Sequence, residues 1–190
     1  AELRRVREQS ISLVTFLDPD YPRRLLNIYD FPPLLYVKGV LSNDDIPVAV
    51  VGSRQASPYG RFTTERLCRE LALKGITIVS GMARGIDSSA HSGALAGRGR
   101  TLAVLGSGLD VIYPPENEAF YGELLGQGAA LSELPCGTTP LARHFLQKSA
   151  RELGVETKRL SESALKYLSG LDFQGNVRQL ENLCHWLTVM

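Results

Sequence analysis

Three short apolar runs punctuate the middle of the chain, at 48–51, 76–79 and 102–105, and each runs into a small-residue turn: Gly52-Ser53-Arg54, Ser80-Gly81 and Gly106-Ser107-Gly108. A spacing of about twenty-five residues between runs leaves room for a crossover helix, so the pattern predicts a buried parallel sheet. The intervening stretches fit. Residues 59–74 place Phe62, Leu67, Leu71 and Leu73 at helical spacing, with Gly75 as terminator. Residues 86–95 form a second, small-residue-rich helix closed by Gly97 and Gly99. Pro114-Pro115-Glu116-Asn117 then stops the backbone and offers Asn117 as cap for a third helix reaching Leu125, before a fourth strand at 129–134.

The flanks read differently. Residues 2–9 are charged and amphipathic, 11–17 suit an edge strand, and Pro22, Pro32 and Pro33 forbid a long helix before a short strand at 34–37 closed by Gly39. After Pro140 strands cease, and 141–153, 162–168 and 177–190 read as helices. In the last, Asn176 and Gln179 stand in a capping-box arrangement, and Val177, Leu180, Leu183, Cys184 and Leu187 form one stripe. The expected fold is α/β: a Rossmann-like open parallel sheet with flanking helices in three αβα layers, followed by a C-terminal three-helix segment. The expected parts are a preamble packed on the sheet (1–45), the Rossmann-like domain (46–140) and the helical segment (141–190).

Composition narrows this a little. No apolar run approaches the ~18 residues of a membrane span, and the charged N-terminus lacks a signal-type apolar region, so a cytoplasmic protein without membrane partners is expected. Cys68, Cys136 and Cys184 are far apart with no CxxC spacing, which fits buried free thiols better than a disulfide or metal site. The formal charge of +1 gives no global reason to bind nucleic acid, but residues 52–100 hold eight Lys/Arg against three acids, so a local basic face is expected.

In open sheets of this kind the ligand crevice lies beyond the carboxyl ends of the strands, where the glycine turns fall. Gly52-Ser53-Arg54 combines close backbone approach, a hydroxyl and a permanently charged bidentate donor, which suits phosphate; a plain glycine turn with an exposed arginine is the equal alternative. The stretch Ser80 to Asp87 adds Gly81, Arg84, Gly85 and a helix start whose first turn is expected to offer N–H groups to an anion. Asp87 would repel phosphate and is read as structural. Gly106-Ser107-Gly108 with Asp110 resembles the start of a dinucleotide fingerprint, but Val111 stands where the third glycine belongs. His91 on the second helix is read first as a packed residue, with a crevice-facing general acid or base as the alternative, and Glu133 at the end of the fourth strand is placed at the same crevice. No P-loop, no catalytic constellation, no metal site and no cofactor are expected.

These residues also carry a family resemblance. Tyr21-Pro-x-x-Leu, Pro33-x-Leu-Tyr, Val51-Gly-Ser-Arg-x-Ala-Ser-x-Tyr-Gly60, Val79-Ser-Gly-x-Ala-Arg-Gly-Ile-Asp87, Ala90-His91 and Ala103-Val-Leu-Gly-x-Gly-Leu-Asp-Val-x-Tyr-Pro-Pro-Glu-Asn117 together resemble the DprA (Smf) family of DNA-processing proteins, in order from about residue 15 to residue 140. The resemblance implies an extended Rossmann-like fold that binds single-stranded DNA, dimerises, and loads RecA during natural transformation. Carried onto this chain it places DNA phosphates at Gly52, Ser53, Arg54, Ser57, Ser80, Gly81, Arg84 and Gly85, with Gly106, Ser107 and Gly108 beside them.

The likeness breaks at Leu141-Ala-Arg-His-Phe145, where an Arg-Asn-Arg-rich stretch and further strands are expected. The sequence from there to Met190 resembles instead the helical lid of an NtrC-type sigma-54 activator, an AAA+ ATPase, with Arg178 at the place of the ATP-sensing arginine and Gln174 where proline is usual. The ATPase motifs themselves are absent from the sequence, and the junction reads as an engineered chimera. Three functions follow as expectations: single-stranded DNA binding of the DprA type, weakened or lost; a nucleotide- or sugar-phosphate-processing domain with His91 or Glu133 as acid or base; or a fold scaffold without activity.

Overall fold

The computed structural model describes residues 2–138 and 153–154. The chain divides into two compact units, Ala1–Gly137 and Thr138–Met190. The helices expected over 141–190, with Arg178 and Cys184, lie outside the described residues, apart from Leu153 and Gly154.

A short helix, α1 (Glu2–Glu8), precedes strand β1 (Ser12–Thr15); a 3-10 turn (Arg23–Asn27) leads to β2 (Leu34–Gly39). The regular alternation follows as β3 (Ile46–Ala49), α2 (Pro58–Ala72), β4 (Ile76–Ser80), α3 (Ile86–Ala96), β5 (Thr101–Val104), a 3-10 turn (Pro115–Asn117), α4 (Glu118–Gln127) and β6 (Gly128–Ser132). All six strands join one sheet in the order β1-β2-β6-β5-β4-β3. Strands β3 to β6 are parallel, as the apolar runs predict, and β1 and β2 extend them antiparallel through the register Tyr36↔Ser132. The sheet is therefore mixed. Part of the expected preamble is sheet rather than cover.

Because β3, β4, β5 and β6 sit side by side in chain order, right-handed crossovers put all three connecting helices on one face. The packing agrees. Cys68 and Ala72 of α2 and Ala90 and Ala94 of α3 close over Ile78, while Tyr121 and Leu124 of α4 join Met82, Ala103, Ala130 and Tyr36. Helices α2 and α3 approach so closely because Gly93 faces the Glu65 carbonyl, where a Cβ would collide. On the opposite face Tyr21, Leu25 and Leu41 pack on Val14, Leu35, Val37, Ala129 and Leu131 of the sheet. Within the described residues, then, the second covering layer is loop and a 3-10 turn rather than α-helix.

Local chemistry explains the boundaries. Ser57 caps α2 by accepting from the Gly60 N–H at 3.1 Å, and Pro58 opens the helix where its missing N–H costs nothing. Gly75, at φ +79°, follows the last turn as expected. Strand β3 lies at 46–49 rather than 48–51, although Val50 still donates to the Val79 carbonyl at 2.9 Å. At the far end of β4 and β5, Arg100 pairs with Asp45 at 2.7 Å and Thr77 donates to the same carboxylate, tying the 40–45 segment to the sheet.

Candidate nucleic-acid interface

The four parallel strands deliver their following turns to one edge of the sheet. Of these turns, those after β3 and β4 are interlocked. The Ile86 N–H donates to the Ser53 carbonyl at 3.2 Å, the Ser80 hydroxyl donates to the Val50 carbonyl at 2.6 Å, and Gly85, at φ +84°, has no room for a Cβ against the Ser53 and Arg54 carbonyls. The turn that carries Arg54 thus rests on the turn that carries Arg84. Both arginines are exposed.

At the centre of this joint lies Asp87, a buried carboxylate on the first turn of α3. It accepts from the backbone N–H groups of Ala83, Gly81 and Gly52, drawing both turns onto one anion. Burial nevertheless pushes its carboxyl above the ordinary range, outweighing those donors. This corrects the expectation of an open anion nest. The Gly52 and Gly81 donors are directed at a side chain of the protein, and the Ile86, Ser88 and Ser89 N–H groups of α3 are taken by the Ser53, Ala83 and Gly85 carbonyls. These N–H groups are therefore engaged within the protein.

The Ser80 and Ser107 hydroxyls are likewise spoken for. Ser57 is a helix cap, Ser80 is buried on Val50, and Ser107 is buried and donates to the Val111 carbonyl at 2.9 Å. Ser53 accepts from the Gln55 N–H at 3.1 Å and retains a proton to give. In the third glycine turn, Ser107 also receives the Ser132 hydroxyl on its carbonyl, Gly108 abuts the Pro135 carbonyl, and Asp110 accepts from the Gly137 N–H. That loop closes onto the segment after β6. Gly106 and Glu133 are exposed beside it.

His91 is fully buried, away from any surface crevice. Thr101 spends its hydroxyl proton on the Ile78 carbonyl at 2.9 Å, so the ring Nδ1 donates to the Thr101 oxygen at 2.6 Å, and Nε2 has no partner among the described residues. Burial lowers its pKa to about 4. A neutral, enclosed imidazole cannot exchange protons with a bound ligand. Cys68 and Cys136 are buried free thiols, and Cys68 is pushed up to about 11 by burial.

One contributor escapes local sequence reasoning. Asn117 stands at the start of α4 but makes no capping bond; its amide reaches back to the Met82 carbonyl at 2.9 Å and the Ser88 hydroxyl at 3.4 Å. The adjacent Glu116 accepts from Arg84 Nε at 2.7 Å. The 113–117 loop is thereby strapped across the Arg84 turn, and Glu116 and the Tyr113 phenol both raise the proton affinity of Arg84. Away from this edge, a groove of about 210 Å³ runs between the first 3-10 turn and Val79, Leu102 and Val104 on the other face of the sheet. Its floor of Val79, Leu102, Val104 and Leu131 is apolar, and Arg23 and Arg24 stand on its wall.

The architecture and the edge together define a Rossmann-like α/β domain with an arginine-bearing strand edge. The profile of the DNA recombination-mediator protein A family matches residues 12–151, and the chain belongs to that family, the one also known as DprA or Smf. It is 46% identical to protein Smf of Synechocystis over 133 residues, 67% of this chain and 33% of that protein. It is 43% identical to the DNA processing protein DprA of Streptococcus pneumoniae over 138 residues, 72% of this chain and 49% of that one. The chain thus spans about a third to a half of the curated relatives it matches. The solved Streptococcus pneumoniae DprA superposes with a TM-score of 0.65 at 32% identity, covering 98% of this chain and 72% of that one. The DNA processing protein A of Helicobacter pylori, whose structure is described for its single-stranded DNA binding mode, superposes with a TM-score of 0.59 at 25% identity over 91% and 94%.

Residues 138–190 match a second profile, the AAA+ ATPase lid domain, and a 50-residue stretch is 66% identical to the transcriptional regulator NtrC of Proteus hauseri, covering 26% of this chain and 11% of that protein. The two profiles overlap at 138–151, which contains the expected junction at 141–145. The chain carries sequence of both kinds.

Proposed function

We propose that the β3 and β4 turns form a single-stranded DNA-binding edge in which Arg54 and Arg84 engage successive phosphates by their side chains. The observation that carries this reading is the interlock of the two turns through Asp87, Ser53 and Gly85, which holds both arginine-bearing loops in a fixed relation. Guanidinium groups suit bidentate phosphate contacts, and two of them on one rigid edge follow a backbone without reading bases. Of the proposed positions, Gly52, Gly81 and Gly85 serve by allowing the turns to touch, Ser57 by starting α2, and Gly106, Ser107 and Gly108 by closing the neighbouring loop. Family membership supports DNA as the polyanion. RecA, a second copy of the chain and a cytoplasmic setting belong to the same reading, and the fused lid sequence reads as an engineered join that brings no ATPase activity.

The test is fluorescence anisotropy of a labelled single strand of ~35 nucleotides against the chain and Arg54→Ala, at low and physiological salt. Saturable, salt-sensitive binding that the substitution weakens supports the reading. Absence of binding at low salt rejects it and leaves a scaffold without DNA-binding activity.

A further inference from the structure

The loop that straps the Arg84 turn also presents an aromatic ring. Tyr113 is 42% exposed, while Pro114 after it is fully buried and Ile112 before it is half-buried in the α4 core. Its position is anchored from the other side as well, by the Asn117 amide on the Met82 carbonyl and by the Glu116 carboxylate on Arg84 Nε. A large, partly apolar side chain is thus held toward solvent by a well-packed backbone, beside the guanidinium assigned to a phosphate. The Arg84 side chain uses Nε for Glu116, and its terminal nitrogens have no acceptor among the described residues.

Single strands differ from duplexes in offering unpaired base faces next to each phosphate. Proteins that hold them without sequence preference pair cationic side chains with aromatic ones on which bases stack. We propose that Tyr113 is a base-stacking position of this edge, its ring taking the face of one nucleobase while Arg84 holds the neighbouring phosphate. This rests on the single-stranded DNA reading and extends it from the backbone to the bases. It requires no base identity, since every base has a π-face. It predicts that the bases themselves contribute to affinity, which the arginines alone would not produce.

The experiment compares a labelled oligothymidylate with an abasic strand of the same length and label, each titrated with the chain, Tyr113→Ala and Tyr113→Phe. The chain is expected to bind the oligothymidylate roughly five- to tenfold more tightly than the abasic strand. Tyr113→Ala should bring the two strands to equal affinity, and Tyr113→Phe, which keeps the ring, should restore the preference. Equal affinity of the chain for both strands, or an unchanged preference in Tyr113→Ala, overturns the stacking position while leaving the phosphate edge standing. Binding of neither strand overturns the DNA-binding reading itself, and the stacking position falls with it.

Discussion

Arg84 Nε and Glu116 Oε1 meet at 2.7 Å between two loops that are 32 residues apart in the chain, and about half of each side chain is exposed. The pair holds the Glu116 carboxyl below its usual range and places a negative charge beside the guanidinium proposed to bind phosphate. Glu116→Gln keeps the hydrogen-bond acceptor and removes the charge. It should tighten single-strand binding by about two- to fivefold at low salt, with less effect as salt screens the site. In Arg84→Ala the same change should do much less, because the arginine that Glu116 competes for is gone; a double-mutant cycle by anisotropy reads this coupling.

Asp87 should matter to the edge without touching DNA. Asp87→Ala leaves the Gly52, Gly81 and Ala83 N–H groups without their buried acceptor, and an expected loss of about 3 kcal/mol follows. Urea unfolding measures the loss. Hydrogen exchange at those three amides should accelerate, and unchanged protection would mean the carboxylate does not hold the turns together.

Gly85 tests the interlock from the backbone side. At φ +84° and ψ −122° it occupies a region that side chains strain to enter, and a Cβ there would run into the Ser53 and Arg54 carbonyls. Gly85→Ala should cost about 2 kcal/mol or more. Its DNA affinity should fall beyond the loss of folded protein, because the Arg54 turn must move; full affinity per folded molecule would show that the two turns act independently.

His91 sets an acid limit on stability. Its folded pKa of about 4 lies below the unfolded value of 6.5, so between these the unfolded chain binds a proton that the folded chain refuses. This contribution is complete above pH 6.5 and is lost as pH falls through about 4; at pH 5 the loss is about 2 kcal/mol. Asp87 has the opposite sign: its raised carboxyl favours the folded state as it protonates. Asn at position 91 keeps a donor for the Thr101 oxygen and removes the titration, so His91→Asn should flatten the decline between pH 7 and 5. Urea midpoints of the two chains across that range provide the comparison.

Much of the parallel sheet was legible because aliphatic runs ending in glycine turns are local patterns, and α2 because Phe62, Leu67, Leu71 and Leu73 repeat at helical spacing before Gly75. The antiparallel addition of β1 and β2 was not, since Tyr36 finds Ser132 across nearly a hundred residues and nothing in either run names its partner. The placement of three helices on one face follows from strand order, which the sequence does not spell out. At the site, the arginine turns could be read from their own residues. What they are fastened with could not: Gly52 and Gly81 donate to a carboxylate on the next helix, and Asn117, locally a good cap, is drawn to Met82 instead. Free helix N–H groups were expected at α3 because the sequence cannot show that the Ser53 carbonyl arrives there first.

If the Arg54 and Arg84 turns act as one phosphate-binding edge, both contacts are read in the salt dependence of single-strand binding by the chain, Arg54→Ala, Arg84→Ala and the double variant. Plotted as log affinity against log salt, each single substitution should reduce the magnitude of the slope by roughly 0.7, the value for one phosphate contact on a single strand, and the double variant by about twice that. Slopes that stay unchanged when both arginines are removed would place the DNA contacts elsewhere on the molecule and contradict the account.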